Sequence, residues 1–307
     1  MIIDAHAHIF SQVNGRKQGV KTKGFNYGCI SAGTEILKLL PPLLKDTTFD
    51  AGMLIALMDS VGVDKAILLQ NPLLGIVNDE IAKAIRQYPE RFKGTIQVDP
   101  LDSNAVNQLK RWYSESQNTL KLEMSNDWGW TGVYPDLKLN DPLLNSLWET
   151  VAELRLQVIF DTGAIGNPGY QTEYIDMLTN KYSNTKFLIE HLAYLTSDKI
   201  FDQSAIKQRL DLVEIARKPN VFLGFSATPS LLNDDYPCPL SLEVLKQTVE
   251  LVGAEKIIWG SDVPITLCRY TYKQMIDLIK DKANFLSEKE KNDILYNNAF
   301  YFFGWDK

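Results

Sequence analysis

Histidine is scarce in this chain, with three copies among 307 residues. Cysteine is equally scarce, and Cys29, Cys238 and Cys268 are far apart with no CxxC pair. That spacing indicates neither a disulfide framework nor a cysteine zinc site, so each cysteine reads as a packing or loop residue. No apolar run reaches the roughly 18 residues of a membrane span. The N-terminus also lacks the basic region, long apolar stretch and small-residue cleavage site of a secretory signal, which makes the cytoplasm the expected compartment. Clustered Lys and Arg are missing too: 32 basic residues face 38 acidic ones, for a net charge of -6. A nucleic-acid or anionic-membrane partner needs such a cluster, so a small molecule is the expected partner. No Pro- or Ser-rich linker and no repeat divides the chain, and residues 1–307 read as one domain.

The chain does have core-forming residues, 45% hydrophobic against 23% charged, as in ordinary globular proteins. Strand-like runs recur at 2–9, 65–70, 92–100, 119–125, 158–163, 186–193, 221–227 and 257–264. Most are apolar on both faces, as parallel strands covered by helices are. Helical patterns lie between them with recognisable ends. Asp141-Pro142 suits an N-cap and first-turn proline, Ser287 and Glu290 have capping-box spacing, and Gly62 and Gly253 stand where helices should stop. Eight β–α alternations without a linker predict a closed (β/α)8 TIM barrel rather than two doubly wound sheets. Two segments exceed ordinary βα-loop length, 11–48 and 126–140. Both leave the C-terminal ends of strands, the face where such barrels hold active sites.

Two of the three histidines stand in the opening MIIDAHAHIF. Strand alternation points His6 and His8 the same way, and a shared divalent metal is the common chemical reason for converging imidazoles; a hydrogen-bonded core pair is the alternative. His191 and Asp262 also fall at predicted strand ends, in KFLIEHLA and IIWGSD. Packing histidines would be scattered, so their joint placement favours a site. Glu123 shares a strand face with Lys121 and either completes a metal site or forms a structural contact with that lysine. Trp128, Trp130 and Tyr134 follow the fourth strand and Tyr170 follows the fifth. Their rings would wall a pocket for a planar or sugar-like molecule, or pack the loops onto the rim. Lys121 and Arg269 are the basic residues best placed to hold a substrate carboxylate. Gln70 and Asn71, ending the second strand, are candidates for hydrogen bonds to substrate, although Asn71-Pro72 also simply starts a turn.

With DAHAH on the first strand, His191 after the sixth and GSD at the eighth, the sequence resembles the amidohydrolase superfamily. The likeness is greatest to the branch of aminocarboxymuconate semialdehyde decarboxylase, pyrone dicarboxylate lactonase and metal-dependent hydrolases of unassigned substrate. NDEIAKAIRQYPERFKGTIQVDP and ILYNNAFYFF extend the likeness over essentially the whole chain. The resemblance implies one divalent ion, zinc or manganese, with His6 and His8 as ligands. It further implies that Asp262 binds the metal or takes the proton from its water, and that His191 contacts substrate or acts as acid or base. Asp161 stands where many members carry a metal-binding histidine. As an oxygen donor it would favour a harder ion such as manganese, or it would hydrogen-bond a neighbour. The implied activity is hydrolysis of a lactone, amide or similar bond in a small acidic or carbohydrate-derived substrate. The alternatives are decarboxylation or hydration of an unsaturated acid, metal-free lactone hydrolysis, and a barrel that binds without catalysis. Exposed barrel helices would also support a homodimer.

Overall fold

The computed structural model describes residues 1–305. Strand β1 (Ile3–His8) is followed by a four-stranded antiparallel sheet made of β2 (Arg16–Lys17), β3 (Val20–Gly24), β4 (Cys29–Ala32) and β5 (Glu35–Lys38). The chain then returns to the first sheet through β6 (Lys65–Leu69), β7 (Phe92–Ile96), β8 (Thr119–Glu123), β9 (Gln157–Asp161), β10 (Phe187–Ile189), β11 (Val221–Phe225) and β12 (Ile257–Trp259). These seven and β1 are neighbours in chain order, all paired parallel, with helices between them. The result is the expected (β/α)8 barrel. Segment 11–48, expected as a loop, carries the antiparallel sheet instead. Its alternating polar and apolar residues pair locally while Ile30 and Ala32 are buried beneath it. Among the described residues no helix is long and apolar enough to cross a membrane.

The helix signals work as their chemistry requires. Asp141 accepts from the Leu143 amide ahead of Pro142, and Ser287 and Glu290 form the reciprocal capping box. Gly62 and Gly253 close their helices. Strands β10 and β12 end earlier than the sequence pattern implies, at Ile189 and Trp259, because the backbone turns left-handed soon afterwards, at His191 and Asp262.

Alternation divides the barrel into two apolar layers. Ile3, Ala5, Ile67, Leu69, Ile159, Leu188, Phe222 and Ile258 pack together inside the barrel, where Ala299, Phe302 and Phe303 of the last helix plug the floor. Ala66, Leu68, Val158, Phe160, Leu223 and Trp259 face the surrounding helices. The first strand breaks this parity. Ile3 and Ala5 lie in the inner layer, whereas Ala7 and Ile9 lie in the outer one, and the register with β6 shifts between Asp4 and Ala7. Strict alternation would have turned His6 and His8 toward the helices, and this bulge turns both into the barrel.

Closure between first and last strands is irregular and rests on side chains. The Asp262 amide donates to His6 O at 2.7 Å and the His8 amide to Val263 O at 2.8 Å. Behind them the buried Asp4 carboxylate accepts from the His6 amide, the Ser261 amide and hydroxyl, and the Tyr272 hydroxyl. Burial pushes its carboxyl pKa up, and these hydrogen bonds pull against that. Removing the carboxylate would orphan four buried donors. Asp4→Ala is therefore expected to lose about 3 kcal/mol or more, and Tyr272→Phe about 1 kcal/mol, by urea unfolding. Equal losses for the two variants would contradict the role given to Asp4.

Candidate active site

At the C-terminal end of the barrel the inner layer turns from apolar to charged. His6 and His8 lie with ring centroids 5.1 Å apart, both almost fully buried. Gly260 makes room for the first of them, since a Cβ there would sit 2.6 Å from His6 Cβ. His8 Nδ1 donates to Leu69 O at 3.0 Å, which fixes the tautomer and leaves Nε2 facing Asp262 Oδ1 at 3.1 Å. His6 Nε2 is 3.5 Å from the same oxygen, while its Nδ1 lies 3.2 Å from Glu190 Oε2 in poor hydrogen-bonding alignment. Both imidazoles thus have a carbonyl or carboxylate near Nδ1 and turn Nε2 toward the same Asp262 oxygen, so the three ligand atoms converge as those of metal-ligating histidines and carboxylates do. The ligand atoms of His6, His8 and Asp262 lie within 4.8 Å of one another. Two nitrogens and a carboxylate oxygen, buried and mutually close, fit a divalent ion.

The cavity over this trio measures about 230 Å³ and is also lined by Asn71, Lys121, Glu123, Trp128, Asp161, His191, Tyr194 and, from the antiparallel insertion, Leu39. Lys121 Nζ lies 3.3 Å from Glu123 and 4.0 Å from Asp161. Burial opposes the lysine's charge, but the carboxylates around it outweigh burial and hold it cationic. Burial pushes the Glu123 carboxyl up to about 8, Asp161 adding to the effect and Lys121 opposing it. For Asp161 burial is outweighed by His191 and Lys121, which hold it well below the usual carboxylate range. Asp262 is lowered as well, burial being outweighed by His6 and His8, while burial lowers the His8 imidazole.

His191 Nδ1 faces Ser226 O at 2.8 Å and its Nε2 faces Asp161 Oδ2 at 3.0 Å. Both of these partners accept, the Ser226 hydroxyl also lying 3.1 Å from Nδ1, and the surroundings favour a protonated ring. Its pKa agrees: burial, which disfavours the charge, is outweighed by Asp161, Glu190 and Asp262, and the value rises to about 10. His191 does not reach the cavity by alternation. Leu188 and Glu190 point inward along β10, and His191 is brought in by the left-handed turn that begins at its own backbone (φ 58°).

The structure brings together His6, His8, Lys121, Glu123, Trp128, Asp161, His191 and Asp262. Glu123 and Asp161 are turned toward Lys121 and His191 rather than into the trio. Three predicted substrate contacts lie outside the cavity. Trp130 stacks on Tyr134 and borders a neighbouring cavity of about 500 Å³ with Arg16, Lys21 and Asp99. The Tyr170 hydroxyl donates to Ala193 O at 3.1 Å. Arg269, at the surface, clamps Asn233 and Asp235. Gln70 turns to Asn78, Thr95 O and the Val77 amide, whereas its neighbour Asn71 lines the cavity. Asn71 Oδ1 accepts from the Leu74 amide, so the turn its Asn-Pro pair signals is also present.

Sequence reasoning missed Glu190, Ser226 and Tyr194. Glu190 was legible from parity with Leu188, and Gly224 marks the space it fills, since a Cβ there would meet Glu190 Oε2 at 2.3 Å. Ser226 donates to Glu190 Oε2 at 2.6 Å and ties that carboxylate to the His191 side. No sequence signal announces Tyr194, whose position depends on the left-handed turn.

Comparison with known proteins places this geometry. The family model for amidohydrolases matches residues 3–305. A probable 2-pyrone-4,6-dicarboxylic acid hydrolase from Acinetobacter baumannii, solved with citric acid bound, is 22% identical over 99% of both chains, with a TM-score of 0.69. The 5-carboxyvanillate decarboxylase of Sphingomonas paucimobilis is 19% identical over 85% of this chain and 84% of that one, with a TM-score of 0.60. A zinc-bound amidohydrolase from Burkholderia multivorans is 14% identical over 99% of both chains, with a TM-score of 0.70. These structures share the barrel. With a matching family model over nearly its whole length and residues at its centre able to hold a divalent metal, the chain is an enzyme that belongs to the amidohydrolase family.

Proposed function

We propose that the protein is a metal-dependent hydrolase that opens a lactone, amide or similar bond in a compact acidic or carbohydrate-derived molecule. One observation carries this reading: the donor trio of His6, His8 and Asp262 shares a single small cavity with cationic Lys121 and the Asp161–His191 pair. A divalent ion held by that trio would polarise a substrate carbonyl and lower the pKa of water toward about 7.

The remaining chemistry belongs to the chain. Asp262 Oδ1 faces the two histidines, and Oδ2 has no partner among the described residues, so Asp262 accepts the proton of the attacking water at Oδ2. Lys121 holds a substrate carboxylate or stabilises developing negative charge. The proton shared across 3.0 Å between His191 Nε2 and Asp161 is delivered to the leaving oxygen or nitrogen. Trp128 walls the mouth and selects by shape. Two imidazoles with a carboxylate favour zinc, and the zinc-bound relative from Burkholderia multivorans supports that choice. Manganese would need more oxygen donors, which Glu123 and Asp161 supply only by leaving Lys121 and His191.

A second reading, decarboxylation, is favoured by Lys121 itself. A cation buried among carboxylates suits a substrate carboxylate, the Asp161–His191 pair could protonate carbon, and the similarity to 5-carboxyvanillate decarboxylase supports it. A screen of lactones, amides and unsaturated carboxylates separates the two by product.

Protein purified without chelator is expected to contain about one equivalent of divalent metal by elemental analysis, as one three-ligand site would hold. Less than about a tenth of that, with turnover indifferent to chelation, would overturn the metal-dependent reading in favour of direct attack by water. His191→Asn should keep the metal and lose about 10²–10⁴-fold in turnover, the range for removing one acid or base, whereas His6→Ala should lose both. A His191→Asn enzyme of full activity would remove His191 from the chemistry.

A further inference from the structure

Four consecutive residues, His191, Leu192, Ala193 and Tyr194, adopt left-handed backbone with φ of 58°, 48°, 64° and 53°. None is glycine, and each such residue costs roughly 1–2 kcal/mol. Two more non-glycine residues that line the same cavity are also left-handed, Ala227 (φ 47°) and Asp262 (φ 60°). Strain gathered around one cavity persists only where the surroundings enforce it. Here they do so directly. Buried Arg209 donates from Nε to Leu192 O at 3.0 Å and is itself held by Thr248, and Tyr170 donates to Ala193 O.

The turn changes which side chains face the cavity. In an extended strand His191 and the residue three places on would lie on opposite faces. In the left-handed turn both reach the cavity, and the Tyr194 ring meets the His191 ring edge-on with centroids 5.2 Å apart. Of the other polar side chains of the turn region, His191 is bonded to Asp161 and Ser226, and Glu190 accepts from Ser226 at Oε2 while its buried Oε1 has no partner among the described residues. The Tyr194 hydroxyl has no hydrogen-bond partner among the described residues. Burial and the carboxylates of Asp161, Glu123 and Asp262 hold it as a neutral phenol, able to donate.

We infer that Tyr194 is a substrate-binding residue whose hydroxyl donates a hydrogen bond to a carboxylate oxygen of a compact organic acid, with Lys121 as the cation in the same cavity. The inference rests on reading this cavity as the substrate site but not on the reaction performed there. A volume of about 230 Å³ admits one ring with small substituents and not an extended chain.

The probe is isophthalate, a planar non-reacting dicarboxylate whose carboxylates are too far apart to chelate one ion. It is titrated calorimetrically into zinc-loaded protein, wild type and Tyr194→Phe. Wild type is expected to bind, and Tyr194→Phe to bind about tenfold more weakly, the loss for one hydrogen bond to a charged group, with unchanged zinc content and melting temperature. Equal affinity of the two proteins, or no binding by wild type, overturns the assignment. Because isophthalate is not turned over, failure to hydrolyse any tested lactone or amide would count against the proposed reaction while leaving this measurement intact.

Discussion

Closure of the barrel at the seam between its first and last strands is the constraint on which the site depends. Few backbone hydrogen bonds cross there, and the buried Asp4 carboxylate gathers four donors from both sides of the gap. An isolated buried charge would be strongly unfavourable, so those donors and the carboxylate need one another. The same seam carries the Asp262 amide to His6 O, which sets the eighth strand's carboxylate beside the first strand's histidines. A fold requirement and the metal-compatible trio are therefore one piece of geometry. The bulge after Asp4 belongs to it, since without the change of parity both imidazoles would face the helices.

Around that seam the protein holds more unfavourable features than folding alone requires. Lys121, Glu123, Asp161, Glu190 and Asp262 are buried together with three histidines, and a run of left-handed residues borders them. Buried ionisable groups of this kind persist when their partners compensate burial, and removing a partner leaves the other group unsupported in the low-dielectric interior. The apolar floor built from the inner strand residues and the last helix lies at the opposite end and carries no such load. Stability and chemistry are thus divided along the barrel axis, the common division in this architecture. Supporting residues such as Arg209 and Tyr170 act on the site through the backbone of the 191–194 turn, without lining the cavity.

Much of this was legible in the sequence for physical reasons. Parallel strands buried on both faces read as apolar runs, so all eight were recognisable, and caps such as Ser287 with Glu290 act through local hydrogen bonds that spacing alone reveals. The pairing of His6 with His8 on one side followed from period-two geometry, and the positions of His191 and Asp262 just past two strands followed from where the apolar runs end. What period two cannot carry is a break in it. The bulge in β1 and the turn at 191–194 re-aim side chains through long-range contacts, with β6 and Asp4 in one case and with Arg209 and Tyr170 in the other. Trp130 and Arg269 show the converse: residue type and loop position favoured a pocket, but rim packing against Tyr134 and a clamp on Asn233 and Asp235 hold them elsewhere.

The central claim is that the seam assembles a divalent-cation site from His6, His8 and Asp262. Its most direct test is anomalous X-ray diffraction at the zinc edge from crystals of protein supplied with zinc. The account predicts one anomalous peak in contact with His6 Nε2, His8 Nε2 and the Asp262 carboxylate. A peak between Glu190 and His191, or none in the cavity at all, would contradict it.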